Sequence, residues 1–446
     1  MHQKLNLINT FVVAFLIDSI FVMLQWSFNR SLNVPFALIM PLKVLICGCC
    51  LWCYKKGGLH HRLSFMSTTL VLLLMLVGMF RGIFAVDGYW GYKGWMNCVL
   101  SALSFVLIFP LGNPTIAAKI LQYWNRYIIP VFVLFGLWAM NKDAYPFQIP
   151  FIYYFYILFF PIVISNPKAR WLIIIGTVCT LVALENRSAI IKTLLAITLC
   201  ATLYLPHFLQ KVSHIFIHFL LYLIPIVLLV LGLTGTFNIF QDLSDEEQTE
   251  ITRSNDVDEE EQNEPAQDLT ADTRTFLYIE VIASAIEGDY VLFGNSIGRG
   301  NKSTLIWTDI EDLESERLMN EAHMLNIFTW TGILGIILYT IMYLQSSCLG
   351  LFYSKNRFVP LIACAVAFHW AMMWLEECPS FNPMDYALFL LLGVCFSPRF
   401  RRMSDMEFRL WFRSCFAAPQ DFTSYDAWNK LKLKLLLLTD KRNEKD

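Results

Sequence analysis

A few cations and one histidine stand where long apolar runs begin or end, and their chemistry is that of holding an anion and moving a proton. Arg187 lies in Glu185-Asn186-Arg187-Ser188, between two apolar runs with almost no loop, and Lys192 follows inside the second run. A guanidinium costs about 2.5–3.5 kcal/mol at a bilayer centre and less near an interface, and it offers bidentate donation to a phosphate. A snorkelling pair, or a salt bridge from Arg187 to Glu185, fits the same spacing. Arg274 falls in the first turn of a segment with helical periodicity. The positive end of a helix disfavours a cation, yet a guanidinium and free backbone N–H groups together make an anion site suited to pyrophosphate. A pair with Asp272 is the alternative. Arg299 sits between Gly298 and Gly300. His323 follows Asn320-Glu321-Ala322 at the end of an apolar run; a side chain that titrates near neutrality suits a general base or a donor to an oxyanion, and a lone interfacial histidine is also often structural. Asp18, Lys43, His369, Glu376 and Glu377 are further polar residues within or at the ends of apolar runs. Asp18 and Lys43 suit a structural pair, whereas Glu376 or Glu377 has the chemistry to orient an acceptor sugar or a base.

The elements that must position these groups are membrane helices. The chain is 56% hydrophobic and only 16% charged, against about 25% charged in soluble domains. Its net charge of −2 carries no signal for nucleic acid, because the charge is segregated along the chain. Runs of about 20 apolar residues start near Leu7, Val34, Leu63, Trp95, Tyr127, Pro150, Trp171, Ser188, Ile215, Ala322, Phe358 and Met384. The expected fold is an all-α polytopic membrane protein of about twelve transmembrane helices, with one large outward-facing loop containing short helices. The first run has no small-residue cleavage site after it and reads as a retained helix. Of the twelve cysteines, most lie inside apolar runs and act as small hydrophobes. Cys50-Leu-Trp-Cys53 lies in a helical run without histidines beside it, so no metal site is expected.

Lysine and arginine in short loops set the orientation. Alternate connections carry Lys55, Lys56 and Arg62; Lys119 and Arg126; Lys168 and Arg170; Lys211; Lys355 and Arg357; and then Arg399, Arg401 and Arg402. That set belongs inside, so both termini are expected in the cytoplasm. The expected organisation is an N-terminal bundle over 1–237, an outward loop over 238–321, a C-terminal bundle over 322–398 and a basic tail over 399–446. The loop divides. Residues 241–268 are acidic, with too little apolar surface to offset the entropy of ordering. Residues 272–321 carry a helix with an apolar stripe that Asp272 caps and Gly288 ends, then a turn rich in glycine. In the tail, Phe400, Phe408, Trp411 and Phe412 interleave with arginines, which suits a segment on the anionic cytoplasmic leaflet or a plain topology anchor.

Three segments in this order resemble the bacterial O-antigen ligase and O-antigen polymerase family of polytopic glycosyltransferases. They are Asn186-Arg187-Ser188; Thr273-Arg274 leading through Leu292-Phe293-Gly294-Asn295-Ser296-Ile297-Gly298 to Gly300; and Glu321-Ala322-His323 followed by Gly332-Ile333-Leu334-Gly335. The resemblance covers chiefly residues 181–192 and 272–338. Met324 stands where the family usually has Asn or Ser after the histidine, and the stretch from His323 to Gly332 is shorter than the common form, which argues against a standard ligase. The resemblance implies an inverting, metal-independent transfer without cofactor, on the outer face of a bacterial plasma membrane. The donor would be a glycan on undecaprenyl pyrophosphate and the acceptor a second lipid-linked repeat or lipid A-core; a chain-length regulator fits as a partner. In that scheme Arg187 and Arg274 hold the pyrophosphate, His323 activates or orients the acceptor hydroxyl, and Arg299 and Lys192 are secondary contacts to sugar or phosphate. The expected activity is repeat-unit polymerisation, with ligation to lipid A-core as the close alternative. A flippase or other transporter would call for internal repeats and paired charges midway through several helices, and a scaffold would tolerate loss of these residues.

Overall fold

The structure is a computed structural model that describes residues 2–27, 36–55, 65–130, 152–163, 187–233, 273–302, 316–376 and 385–416, with a few isolated positions near 173 and Phe381. The spans expected near Tyr127 and Trp171 lie largely outside these residues, as do the acidic segment 241–268, the Asp272 cap, Glu377 and the tail beyond 416. Thirteen helices of seven residues or more are described: α1 His2–Ser27, α2 Phe36–Lys55, α3 Met66–Ile83, α4 Gly88–Ala102, α5 Pro114–Tyr123, α6 Ile152–Leu158, α7 Arg187–Ala201, α8 His207–Leu233, α9 Thr273–Glu287, α10 His323–Phe352, α11 Phe358–Met372, α12 Tyr386–Phe396 and α13 Asp405–Ser414. The described strands are β1 (Asn301–Lys302) and β2 (Glu316–Arg317), which pair antiparallel.

Among the described residues, α2, α3, α8 and α10 are long and apolar enough to cross a membrane. A fifth candidate is α4 joined to the helical turns Ser104–Leu111 across a 44° bend. Around α10 pack α3, α11 and α12. All of α12 is buried, as an apolar sequence without a polar face demands.

Two segments differ from the sequence expectation. Lys119, assigned above to a loop, lies on α5, which starts at an Asn113-Pro114 cap where Asn113 Oδ1 accepts from Thr115 N. Proline at the first helical position and asparagine before it are start signals. The tail also folds inward. Ser404 and Glu407 form a capping box at the start of α13, and Phe400, Phe408, Trp411 and Phe412 are fully buried in protein. Trp411 Nε1 donates to Pro114 O at 2.8 Å, and Gln122 Nε2 to Ser414 O at 2.8 Å, locking α13 onto α5.

Candidate functional site

Helix α11 ends at Met372, and the turn that follows, residues 373–376, gathers three other helices. Helix α10 begins with free N–H groups, as every helix does, and Ala322 has no side chain to cap them. Carbonyls of the turn do it instead: His323 N donates to Glu376 O at 2.8 Å and Met324 N to Met373 O at 3.1 Å. From α9, Tyr278 Oη donates to Trp374 O. From α7, Lys192 Nζ meets Glu376 Oε2 at 2.5 Å, with 12% and 14% of the two side chains exposed. Taking either partner from so sheltered a pair strands the other charge.

Behind the turn runs a row of buried rings. His323 lies 5.6 Å from Tyr339, Tyr339 5.5 Å from Tyr343, and Tyr343 5.6 Å from His369, centroid to centroid. Tyr339 and Tyr343 are one turn apart on α10, so both face α11. Three sheltered atoms at the turn have no hydrogen-bond partner among the described residues: His323 Nε2, Trp374 Nε1 and Glu376 Oε1. Lys192 and His369 also line an otherwise apolar cleft, walled by Phe155 and Leu158 of α6, Leu195 and Leu199 of α7, Met372 of α11 and Leu388 of α12.

The sequence candidates divide between this turn and other places. Lys192 and His323 meet there through Glu376. Arg187 is the first residue of α7 and Arg274 lies in the first turn of α9; their side chains are outside the described residues. Helix α9 forms as expected, with Gly288 N closing it onto Ser284 O. Besides the Tyr278 bond, Leu277 and Val281 pack on Ala322 and Leu325, so Arg274 stands one turn before the residue that ties its helix to the site. Arg299 is engaged elsewhere: Nη2 pairs with Glu316 Oε1 at 2.7 Å and Nη1 donates to Ala85 O at 3.3 Å. Lys43 donates to Phe381 O at 2.7 Å and feels both Asp18 and Asp385, away from this cluster.

The glycine turn has a packing role. Gly294 takes φ 70°, and a Cβ there would sit 2.3 Å from the Trp330 carbonyl carbon; Gly332 takes φ 67°, and its Cβ would sit 2.4 Å from that of Leu292. Backbone therefore lies on backbone, with Asn295 N donating to Thr329 O at 2.7 Å and Ile333 N to Val291 O at 2.9 Å. On the other side Ile297 presses on Gly78 and Gly82 of α3, a small-xxx-small pair that elsewhere admits a second helix. Arg81 closes this clasp, donating to Phe293 O at 3.0 Å and Gly294 O at 3.1 Å. Next to it Tyr290 and Ser284 share a 2.7 Å hydrogen bond, and burial pushes the Tyr290 phenol up.

A buried amide network fixes the approach to His323. Asn326 Oδ1 accepts from Asn320 N at 2.5 Å, Asn326 Nδ2 donates to Asn320 O at 3.0 Å, and Asn320 Nδ2 reaches Asn301 Oδ1 at 3.1 Å. Sequence reasoning passed over these asparagines and over Tyr278. The signal for Asn326 was an amide inside an apolar run, which needs partners once buried; Tyr278 left none, because its partner is a main-chain carbonyl far along the chain.

Comparison with protein families, with curated proteins and with solved structures finds no match to this chain. What stands is a mostly helical chain with several helices apolar enough to cross a membrane and, among the described residues, a polar cluster beside an apolar cleft.

Proposed function

We propose that this chain is a bacterial membrane glycosyltransferase that polymerises polysaccharide repeat units, taking glycan from undecaprenyl pyrophosphate on the outer face of the plasma membrane. One observation carries the reading: the turn at residues 373–376 joins Lys192 and His323 directly, ties in the helix that bears Arg274, and holds the helix that begins at Arg187. One helix from each of the three segments of the sequence resemblance thus contacts that turn, while the glycine stretch 292–300 packs on α3 and α10 instead. Positive charge from Arg187 and Arg274 suits a diphosphate leaving group, because preorganised cations stabilise charge as it develops, while Lys192 is paired with Glu376 beside them in the scheme. The cleft beside Lys192 offers apolar walls to a polyprenyl chain. His323, whose Nε2 has no partner among the described residues, has the chemistry to orient or activate the acceptor hydroxyl. Arg299 holds the glycine turn in place and is left out of this set.

Deletion in a polysaccharide-producing bacterium and complementation with this chain tests the proposal, read as glycan length on a gel. Loss of a polymerase leaves a single repeat unit on the final acceptor, and complementation restores the ladder. Long chains stranded on the lipid carrier would assign the protein to ligation instead, and unchanged chain length would remove it from glycan transfer.

A further inference from the structure

Two groups at the turn have the chemistry to take a proton from a sugar hydroxyl, and the structure treats them differently. His323 is 1% exposed and lies behind the turn, in the row of buried rings. Glu376 stands at the edge shared with Lys192 and its side chain keeps 14% exposure; its Oε1 is as sheltered as His323 Nε2, and what sets it apart is the lysine that orients it. Lys192 holds Oε2, which fixes the plane of the carboxylate. The second oxygen, Oε1, is sheltered and accepts no hydrogen bond among the described residues. A sheltered acceptor without a donor is costly, and an arriving hydroxyl would supply that donor. This is the arrangement of a base and its orienting partner: one polar group fixes the carboxylate and the other lone pair is left for substrate.

We propose that Glu376 is the proton acceptor of the transfer and that Lys192 is its positioning residue, which leaves the diphosphate to Arg187 and Arg274. The proposal rests on the glycosyltransferase reading above. In the step, the acceptor hydroxyl gives its proton to Glu376 Oε1 while its oxygen bonds to the anomeric carbon of the donor. The bond from that carbon to the diphosphate oxygen breaks, and the electron pair leaves on the diphosphate. Solvent takes the proton from Glu376 after the product departs. His323 orients the acceptor and does not carry the proton. The helix caps do not depend on this side chain, because His323 N and Tyr278 Oη bind main-chain carbonyls of the turn. Glu376→Gln therefore keeps the main-chain caps of the turn, while it removes the counter-charge of Lys192.

The test is steady-state kinetics of the purified full chain in detergent, with a diphosphate-linked polyprenyl repeat unit as donor. Glu376→Gln is expected to lower kcat by about 10²–10⁴-fold, the usual contribution of acid–base catalysis, with the donor KM within a few-fold of wild type. Lys192→Met is expected to show the same pattern, since a positioning role moves kcat whereas a diphosphate contact would raise the donor KM. Glu376→Asp keeps the carboxylate and is expected to fall between wild type and the glutamine variant. Wild-type turnover in Glu376→Gln, equal loss in the aspartate and glutamine variants, or a raised donor KM with intact kcat in Lys192→Met would each overturn the proposal while leaving glycan transfer standing. A wild-type protein that extends no lipid-linked glycan would instead remove the function reading, and this inference with it.

Discussion

The glycine clasp and the turn at residues 373–376 both grip the first part of α10, one by laying main chain on main chain and the other by main-chain caps beside a sheltered ion pair. In the clasp, Asn295 N, Ile297 N and Ile333 N all donate to carbonyls, and Arg81 is committed to two more. Glycines at 78, 82, 294 and 332 let main chain lie against its neighbours, where a Cβ would collide or crowd. Both regions leave sheltered side-chain atoms without a hydrogen-bond partner among the described residues: Ser296 Oγ, Thr329 Oγ1 and Trp330 Nε1 at the clasp, and His323 Nε2, Trp374 Nε1 and Glu376 Oε1 at the turn. A native fold leaves few such atoms, and each calls for an explanation. Arg81 of the clasp is committed to main-chain carbonyls, whereas the turn gathers a carboxylate, an ammonium and a histidine, the groups that the proposed transfer would use. Substitutions should therefore cost stability in the first region and turnover in the second.

The largest effect is expected at the turn. His323→Ala and Arg274→Ala should each lower polymer formation by at least about 100-fold, through lost orientation of the acceptor and lost electrostatic stabilisation respectively, while the protein still accumulates. Glycan length on a gel beside an immunoblot of the membrane fraction checks both; full activity from either variant would take that residue out of the mechanism. A smaller effect, of the other kind, belongs to Gly332→Ala. A side chain at φ 67° would meet the Leu292 main chain, which predicts a loss of about 3 kcal/mol from backbone strain and overpacking together. Thermal unfolding of the purified protein should show it, with activity per folded molecule preserved. Unchanged stability would dissolve the distinction between the two regions. Arg299→Ala should do least: its pair with Glu316 is 40% exposed on the arginine side, and such pairs contribute about 0–1 kcal/mol. Loss of polymer in that variant, at normal accumulation, would return Arg299 to the substrate site.

The features legible in the sequence were those with local causes. Apolar runs placed most of the described helices; the periodicity from Phe276 to Ile286 and the following glycine gave α9; and an interrupted apolar run marked His323 as the start of α10. The features that were hidden depend on distant partners. Nothing near Glu376 announces that Lys192, far earlier in the chain, will meet its carboxylate, or that Tyr278 will bond to Trp374. Arg299 drew attention for its place beside two glycines, but its partner is Glu316, across a two-residue β pairing that periodicity does not reveal. The glycines themselves were visible while their purpose was not, since the same Gly-x-x-x-Gly serves a helix, a phosphate or, as at Gly78 and Gly82, a loop. The tail reads as basic and interfacial by composition; Ser404-x-x-Glu407 was the local sign of a helix there, and only the packing of Phe408 and Trp411 shows that it belongs to the core.

The central claim is that this chain joins glycans at the expense of a polyprenyl diphosphate link, and it can be measured without reference to any cell. Purified protein reconstituted in vesicles is supplied with a diphosphate-linked repeat unit, and product length and free polyprenyl diphosphate are followed together. The account predicts a ladder of lengthened glycan with one diphosphate carrier released per bond formed. A donor that crosses the bilayer unextended, or one that is unchanged with no carrier released, would contradict it.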